Sequence, residues 1–183
     1  MMMPAIVVVA APDHRLAGSE LGFVGRRRHC WPRLGHRVDV VVGPPYPDPM
    51  PFAASVTPLH DERFWGKWFS RDRSLLLPRP QPLRIFEPLN FWSFGATWFG
   101  FLPEPFAFSV RALRHVAGRL AAGERWDIVH DVQSLGWGLL GIRALGLPVV
   151  STIHHPLSVD RRTSFVRDRS LRELLADPYA LAP

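Results

Sequence analysis

The clearest hydrophobic pattern lies late in the chain, where two short apolar runs flank a stretch with helical spacing. The runs are Ile128–Val129 and Val149–Ile153. Runs of this length, bounded by Asp or Pro, are typical of buried parallel strands. The stretch between them predicts a helix that is capped by Ser134 and ended by Gly146. The pattern therefore predicts a β-α-β unit.

Polar side chains follow both of these strands. His130 and Asp131 follow the first run, and His154 and His155 follow the second. Open α/β sheets bind their ligands at the carboxyl ends of the strands. Histidine is also the side chain best suited to chemistry near neutral pH. These residues are therefore candidates for a functional site, and the alternative is that the histidines only terminate the strands.

The first part of the chain repeats the alternation of strand and helix. Ala5–Ala11 and Arg37–Val42 predict two more buried strands. Leu21–Leu34 between them predicts a weak helix, because it contains glycines, a proline and an arginine triplet. Ser19 with Glu20 suits a helix start, where free backbone N–H groups can hold an anion, and the alternative, which is the default, is an ordinary turn between a strand and a helix. We predict an α/β fold with a Rossmann-like open parallel sheet and helices on both faces.

The middle of the chain is irregular and aromatic. Between Pro51 and Pro105 only Ala54–Thr57 indicates a short strand, and prolines interrupt the rest. Basic residues are interleaved with the aromatic ones in its first part. Such a mixture suits packing as an irregular lid, contact with an anionic membrane or stacking on single-stranded nucleic acid, and packing is the default. A clearer amphipathic helix, starting at Ser109, follows.

Length and composition indicate one globular domain. The chain has 183 residues, of which 47% are hydrophobic and 21% charged. We assign residues 1–176 to a single domain, with the aromatic-rich insertion at about 51–105 and a tail at 177–183. The net charge of +6 comes almost wholly from arginine, and it leaves nucleic acid, anionic lipid and phosphorylated substrates open as partners.

The cysteine count and the hydropathy bear on the compartment. Cys30 is alone, so the chain has no internal disulfide framework. The start of the chain lacks the positive segment of a secretory signal. No apolar stretch approaches the roughly 20 residues of a membrane-spanning helix. We therefore expect a cytoplasmic protein, with peripheral contact at the inner face of the membrane as a further expectation.

Four blocks of the chain together resemble one enzyme family. They are Gly18–Glu20, Leu34–Val42, Trp126–Asp131 and Pro148–Pro156. In this combination they resemble the N-terminal domain of glycosyltransferase family 4, whose members are retaining enzymes with the two-domain GT-B fold. The most specific feature is the Thr-x-His strand end coupled to the upstream Val-His-Asp. The first turn departs from the family pattern, because Ala17-Gly18 stands where a Gly-Gly pair is usual.

The resemblance implies the acceptor-binding half of a sugar-transferring enzyme. A nucleotide sugar would be the co-substrate, and no metal or other cofactor would be needed. It places His154 in the catalytic cleft, and Gly18 and Ser19 near the donor diphosphate. It assigns acceptor-side roles to His130, Asp131, His155 and Asp160. The family's Glu-x7-Glu donor motif is missing, so we expect a C-terminal donor domain in cis or in trans, and binding without turnover from this chain alone.

Two other hypotheses remain open at this stage. A metal-dependent hydrolase would use the strand-end histidines and aspartates as ligands, although no tight His-x-x-x-His spacing is present. A non-catalytic module for an anionic or membrane surface would use the arginine excess. We expect no specific nucleic-acid partner.

Overall fold

A computed structural model gives the fold for residues 5–10, 34–44, 46, 49–69, 73–99, 101, 103–132, 134 and 136–153. Five parallel strands within these residues form one sheet. They are β1 (Ala5–Ala10), β2 (Arg37–Val42), β3 (Ser55–Pro58), β4 (Ile128–Val132) and β5 (Val149–Thr152), in the order β3-β2-β1-β4-β5. This α/β arrangement is compatible with one Rossmann-like half of a larger protein.

The central strand β1 pairs with a neighbour on each side. Ala10 at its end is opposite Val42 of β2 and Val132 of β4. The strand order reverses between β1 and β4, because the chain first builds outward through β2 and β3 and then through β4 and β5. In open α/β sheets the crevice at such a switch point, at the carboxyl ends of the strands, is where ligands bind.

Four α-helices connect and cover the strands that the structure describes. They are α1 (Phe64–Phe69), α2 (Pro88–Trp98), α3 (Glu104–Ala121) and α4 (Gly138–Ala144), with 3-10 turns at Arg73–Leu76 and Pro82–Phe86. α3 begins at Glu104 and not at Ser109 as predicted. Pro105 lies in its first turn, where the missing N–H of proline costs nothing.

The core has one cluster on each face of the sheet. On one face Val41 and Val129 pack with α3 and α4, and the helices contribute Phe108, Ala112, Val116, Leu139 and Ile142. Val38, Val40, Val42 and Val132 form the second cluster, because alternate strand residues point to opposite faces. α3 and α4 therefore cover one face. The helix predicted at 21–34 lies outside the described residues, so helices on both faces stay a prediction.

Two predictions about local structure were wrong. Ser134 does not cap the helix of the β-α-β unit, since α4 begins at Gly138 and the Ser134 side chain instead donates to Asp131. The segment 51–105 is more regular than predicted, because it contains β3, α1, α2 and both 3-10 turns. By contrast, Gly146 follows the helix with a φ of 89°, as its predicted role at the helix end requires.

Candidate active site at the carboxyl edge of the sheet

The first of the predicted site residues lies within β4 and not after it, because the strand continues to Val132. His130 is partly buried, and its Nε2 lies 2.7 Å from Oγ1 of Thr152 at the end of β5. The two side chains share one face of the sheet, because His130 is in register with Val150, two residues before Thr152. This hydrogen bond ties the middle of β4 to the end of β5, beside the switch point.

Asp131 lies on the opposite face of β4 and has a different environment. It is fully buried. Its Oδ1 accepts a hydrogen bond of 3.0 Å from the backbone N–H of Ser134 and a second, short one from the Ser134 hydroxyl. A carboxylate that accepts from the backbone three residues later orders the turn that leaves the strand. Asp131 thus shapes the loop between β4 and α4, and its acceptor-side role stays a prediction.

The other predicted site residues lie outside the described part of the chain. These are Gly18, Ser19, His154, His155 and Asp160. The described chain ends at Ile153, which is 57% exposed and directly precedes His154 in the sequence. The structure therefore brings His130 and Thr152 together and leaves the roles of the remaining residues as predictions.

The metal-hydrolase hypothesis requires several ligands around one point. Among the residues with described positions, no group of three or more His, Cys, Asp or Glu side chains is placed to hold a metal ion. His130 and Asp131 are consecutive in β4 and point to opposite faces. These two side chains therefore do not converge on one ion.

A second polar group at the same edge was not predicted. The residues that follow β3 are His60, Asp61 and Glu62, and the two carboxylates are almost fully buried. The sequence does contain a signal, since polar side chains follow this strand just as His130 and Asp131 follow an apolar run. β3 is short and only half apolar, so the hydrophobic pattern did not indicate that these polar residues follow a strand of the same sheet.

Asp61 is held by a cation from α3. Its Oδ1 lies 3.3 Å from Nη1 of Arg111, and Nη2 of Arg111 donates a 2.7 Å hydrogen bond to Oδ1 of Asn90 in α2. Burial raises the pKa of Asp61, although the guanidinium of Arg111 acts in the opposite direction. Asn90 is itself fully buried and donates to the carbonyl oxygen of Arg84 at 2.8 Å. The network joins α2, α3 and the loop after β3.

The aromatic segment exposes much of its apolar surface. Phe64 is buried and meets Phe94 edge-on at 5.6 Å. The exposed side chains are Leu83, Phe86, Phe91, Trp98 and Phe99. No helix within the described ranges is long and apolar enough to cross a membrane. Packing explains part of the aromatic content, and peripheral membrane contact stays a prediction.

Comparison with known proteins gives one informative match. No family model matches the chain. Over 142 residues the chain is 36% identical to the MMP α-(1→4)-mannosyltransferase of Mycolicibacterium hassiacum. The similarity supports a glycosyltransferase. The aligned part covers 78% of this chain but 32% of the relative, so the chain spans about a third of the length of the curated protein that it matches.

Proposed function

We propose that this chain is the acceptor-binding N-terminal half of a glycosyltransferase of family 4, with the GT-B fold and a retaining mechanism. The observation that carries the proposal is the 36% identity to a mannosyltransferase over 78% of the chain. The strand order β3-β2-β1-β4-β5 supports it, because that order provides a ligand crevice between β1 and β4. The donor-binding half would follow in the rest of the protein.

The relative's name suggests the reaction. It is an α-(1→4)-mannosyltransferase, and we propose transfer of a mannosyl group from a nucleotide sugar to a hydroxyl of a carbohydrate acceptor. No metal or other cofactor takes part in the proposed reaction. The backbone N–H groups near Gly18 and Ser19 would stabilise the charge that develops on the leaving diphosphate.

The strand ends supply the acceptor side of the proposed cleft. His154 would contact the transferred sugar or the attacking hydroxyl. Thr152 lies two residues earlier, and its 2.7 Å hydrogen bond with His130 would fix the point at which the chain leaves the sheet. His130 therefore acts as a positioning residue in this proposal. His155 and Asp160 would contact the acceptor beyond that point, and Asp131 would hold the loop behind it.

A transfer assay tests the proposal. The full protein, with its natural continuation where the gene encodes one, is incubated with GDP-mannose or UDP-glucose and a methyl α-mannoside acceptor. We expect mannosyl transfer to an α-linked product, and His154→Ala should reduce kcat by about 10²-fold, the typical loss when a polar group that stabilises the transition state is removed.

The matched control is another histidine-to-alanine change. His115 lies in the second half of α3, which leads to the amino end of β4, away from the carboxyl edge. His115→Ala should therefore leave the transfer rate unchanged. Absence of transfer from both donors would refute the proposal, and transfer of glucose alone would refute the mannosyl donor. A β-linked product from the α-linked donor would refute retention.

A further inference from the structure

A groove opens between the carboxyl ends of β2 and β3. It has a volume of about 440 Å³, within the range of roughly 300–1,000 Å³ typical of small-molecule sites. Among the described residues, apolar side chains form the floor of the groove, and the rings of Tyr46 and His60 add polar atoms. The lining residues are Val42, Tyr46, Val56, Pro58 and His60.

Tyr46 is held across this groove by its hydroxyl group. The Tyr46 OH donates a 3.2 Å hydrogen bond to the carbonyl oxygen of Leu59, and the residue is 50% exposed. Burial of the phenol, and then the charge of Asp61, raise its pKa, so the hydroxyl stays a neutral donor near pH 7. An aromatic ring fixed at one end and open on a face offers a stacking surface at low entropic cost.

His60 is oriented by a buried carboxylate. Its Nε2 lies 2.7 Å from Oε1 of Glu62, whose Oε2 accepts a 3.0 Å hydrogen bond from Nζ of Lys67. Burial alone would raise the pKa of Glu62, but the hydrogen bonds from His60 and Lys67 outweigh it and lower the pKa. In the neutral imidazole the ionised carboxylate favours the tautomer with hydrogen on Nε2, and Nδ1 then carries a lone pair. His60 can therefore accept a hydrogen bond from a hydroxyl group.

The groove lies on the same edge of the sheet as His130 but not beside it. In the order β3-β2-β1-β4, β4 is two strands from β2 and three from β3. With about 4.8 Å between neighbouring strands, the separation is about 10–14 Å. One sugar ring at the end of β4 would not reach the groove, whereas a chain of several rings would.

We propose that this groove binds a remote sugar ring of an oligosaccharide acceptor, with the ring stacked on Tyr46 and one of its hydroxyl groups donating to Nδ1 of His60. The proposal rests on the proposed function and adds that the acceptor extends beyond the ring that receives the new sugar. An apolar floor with one aromatic ring and one oriented hydrogen-bond acceptor suits a sugar, which has an apolar C–H face and hydroxyl groups at its edge.

The test compares a long and a short acceptor in the full protein. The long acceptor is an α-(1→4)-linked mannotetraose, and the short one is methyl α-mannoside. Tyr46→Ala should weaken tetrasaccharide binding in calorimetry about tenfold, which is the effect of losing one aromatic contact. His60→Phe should weaken it about fivefold, which corresponds to one hydrogen bond. Transfer to the short acceptor should keep its KM in both variants.

Two control variants separate the groove from general effects. Tyr46→Phe retains the ring and should bind the tetrasaccharide within about threefold of the wild type. Phe91→Ala removes an exposed aromatic residue of α2 that does not line the groove, so it should change nothing. A single cooperative thermal unfolding transition shows that each variant is folded. Tyr46→Phe and Phe91→Ala should keep the wild-type midpoint, because both side chains are at least half exposed, whereas His60→Phe should lower it, because it removes a hydrogen bond to the buried Glu62 carboxylate.

Three results would overturn the subsite. The first is that the wild-type protein does not bind the tetrasaccharide. The second is that the wild type, Tyr46→Ala and His60→Phe bind it equally well. The third is that, in NMR spectra, the ring Cε1–H resonance of His60 shifts on addition of GDP but not on addition of the tetrasaccharide. The proposed function fails separately, because it depends on transfer to the short acceptor. Transfer to methyl α-mannoside with no effect of Tyr46→Ala on the longer acceptor would leave the enzyme assignment and remove the subsite.

Discussion

Gly138 lies where the start of α4 meets α3, and its replacement by alanine tests the packing that joins β4 to β5. A Cβ at this position would come closer than 3.0 Å to the carbonyl carbon and oxygen of Ser109 and to the backbone nitrogen of Val110. These are backbone atoms of a helix, so they cannot rotate away and one helix must shift. The shift would also disturb the 3.1 Å hydrogen bond from the Gly138 N–H to Oγ of Ser109.

The expected size of the effect follows from three terms. Overpacking of this kind costs about 1–3 kcal/mol, and the disturbed hydrogen bond costs about 1 kcal/mol more. Alanine recovers at most about 1 kcal/mol over glycine in a helix. The net loss in the free energy of unfolding for Gly138→Ala is therefore about 2 kcal/mol. In a chain of 183 residues this lowers Tm by about 4–8 °C.

The same substitution within α3 should change the stability in the opposite direction. Gly118 is exposed within that helix, and no described atom lies within 4 Å of the Cβ that alanine would add. Gly118→Ala should therefore stabilise the protein by about 0.5–1 kcal/mol. Both variants lower the entropy of the unfolded chain equally, so urea unfolding of the pair isolates the helix contact. If Gly138→Ala is as stable as Gly118→Ala, the close approach of α3 and α4 is refuted.

Two further predictions concern buried carboxylates. Trp126→Phe removes the indole N–H that donates to Oδ2 of Asp39 at 2.9 Å, and it should cost about 1–3 kcal/mol in urea unfolding; a change that simply adds to that of Asp39→Asn would contradict this contact. Glu62 has a folded pKa below its ordinary 4.5, so its charge stabilises the fold above that value and the contribution is lost as the pH falls through the lower folded pKa. Glu62→Gln should therefore lower Tm at pH 7 and have a smaller effect near pH 3, whereas an equal effect at both would exclude this linkage.

β2 and β4 could be predicted from the sequence because most of their residues are buried, and β5, which is partly exposed, begins with the same kind of apolar run. β2, β4 and β5 are apolar runs ended by Gly, Pro or polar residues, and such runs have few other structures open to them in a chain of this length. Positive φ angles at Gly35, Gly123 and Gly146 also agree with glycines that end elements in the sequence pattern. The geometry of the β-α-β unit followed from these local signals.

The helix α2 could not be predicted because its amphipathic pattern is inverted. Its buried side chains include Asn90, Ser93 and Thr97, whereas Phe91 and Trp98 are exposed. Burial of the hydroxyl groups is tolerated because each donates to the carbonyl four residues earlier, Ser93 at 2.7 Å and Thr97 at 2.9 Å. A hydrophobic pattern read along the sequence therefore indicates the wrong face. Asn90 lies inside because its side chain is hydrogen-bonded to Arg111, to the carbonyl oxygen of Arg84 and to Glu87.

Arg111 also changes how the aromatic segment relates to the proposed acceptor groove. Its two terminal nitrogens hold Asp61 and Asn90, so α2 is fixed to the loop that carries His60 and Glu62. Removing one partner of a buried charge pair is destabilising. A displacement of α2 would leave either the guanidinium of Arg111 or the carboxylate of Asp61 without its partner, and it would therefore be costly in free energy. A ligand or surface that moves the exposed aromatic side chains would therefore also displace the loop that lines the groove. The segment is therefore a fixed part of the carboxyl edge of the sheet, and the proposed acceptor contacts there would depend on polar bonds that hydrophobic patterning does not reveal.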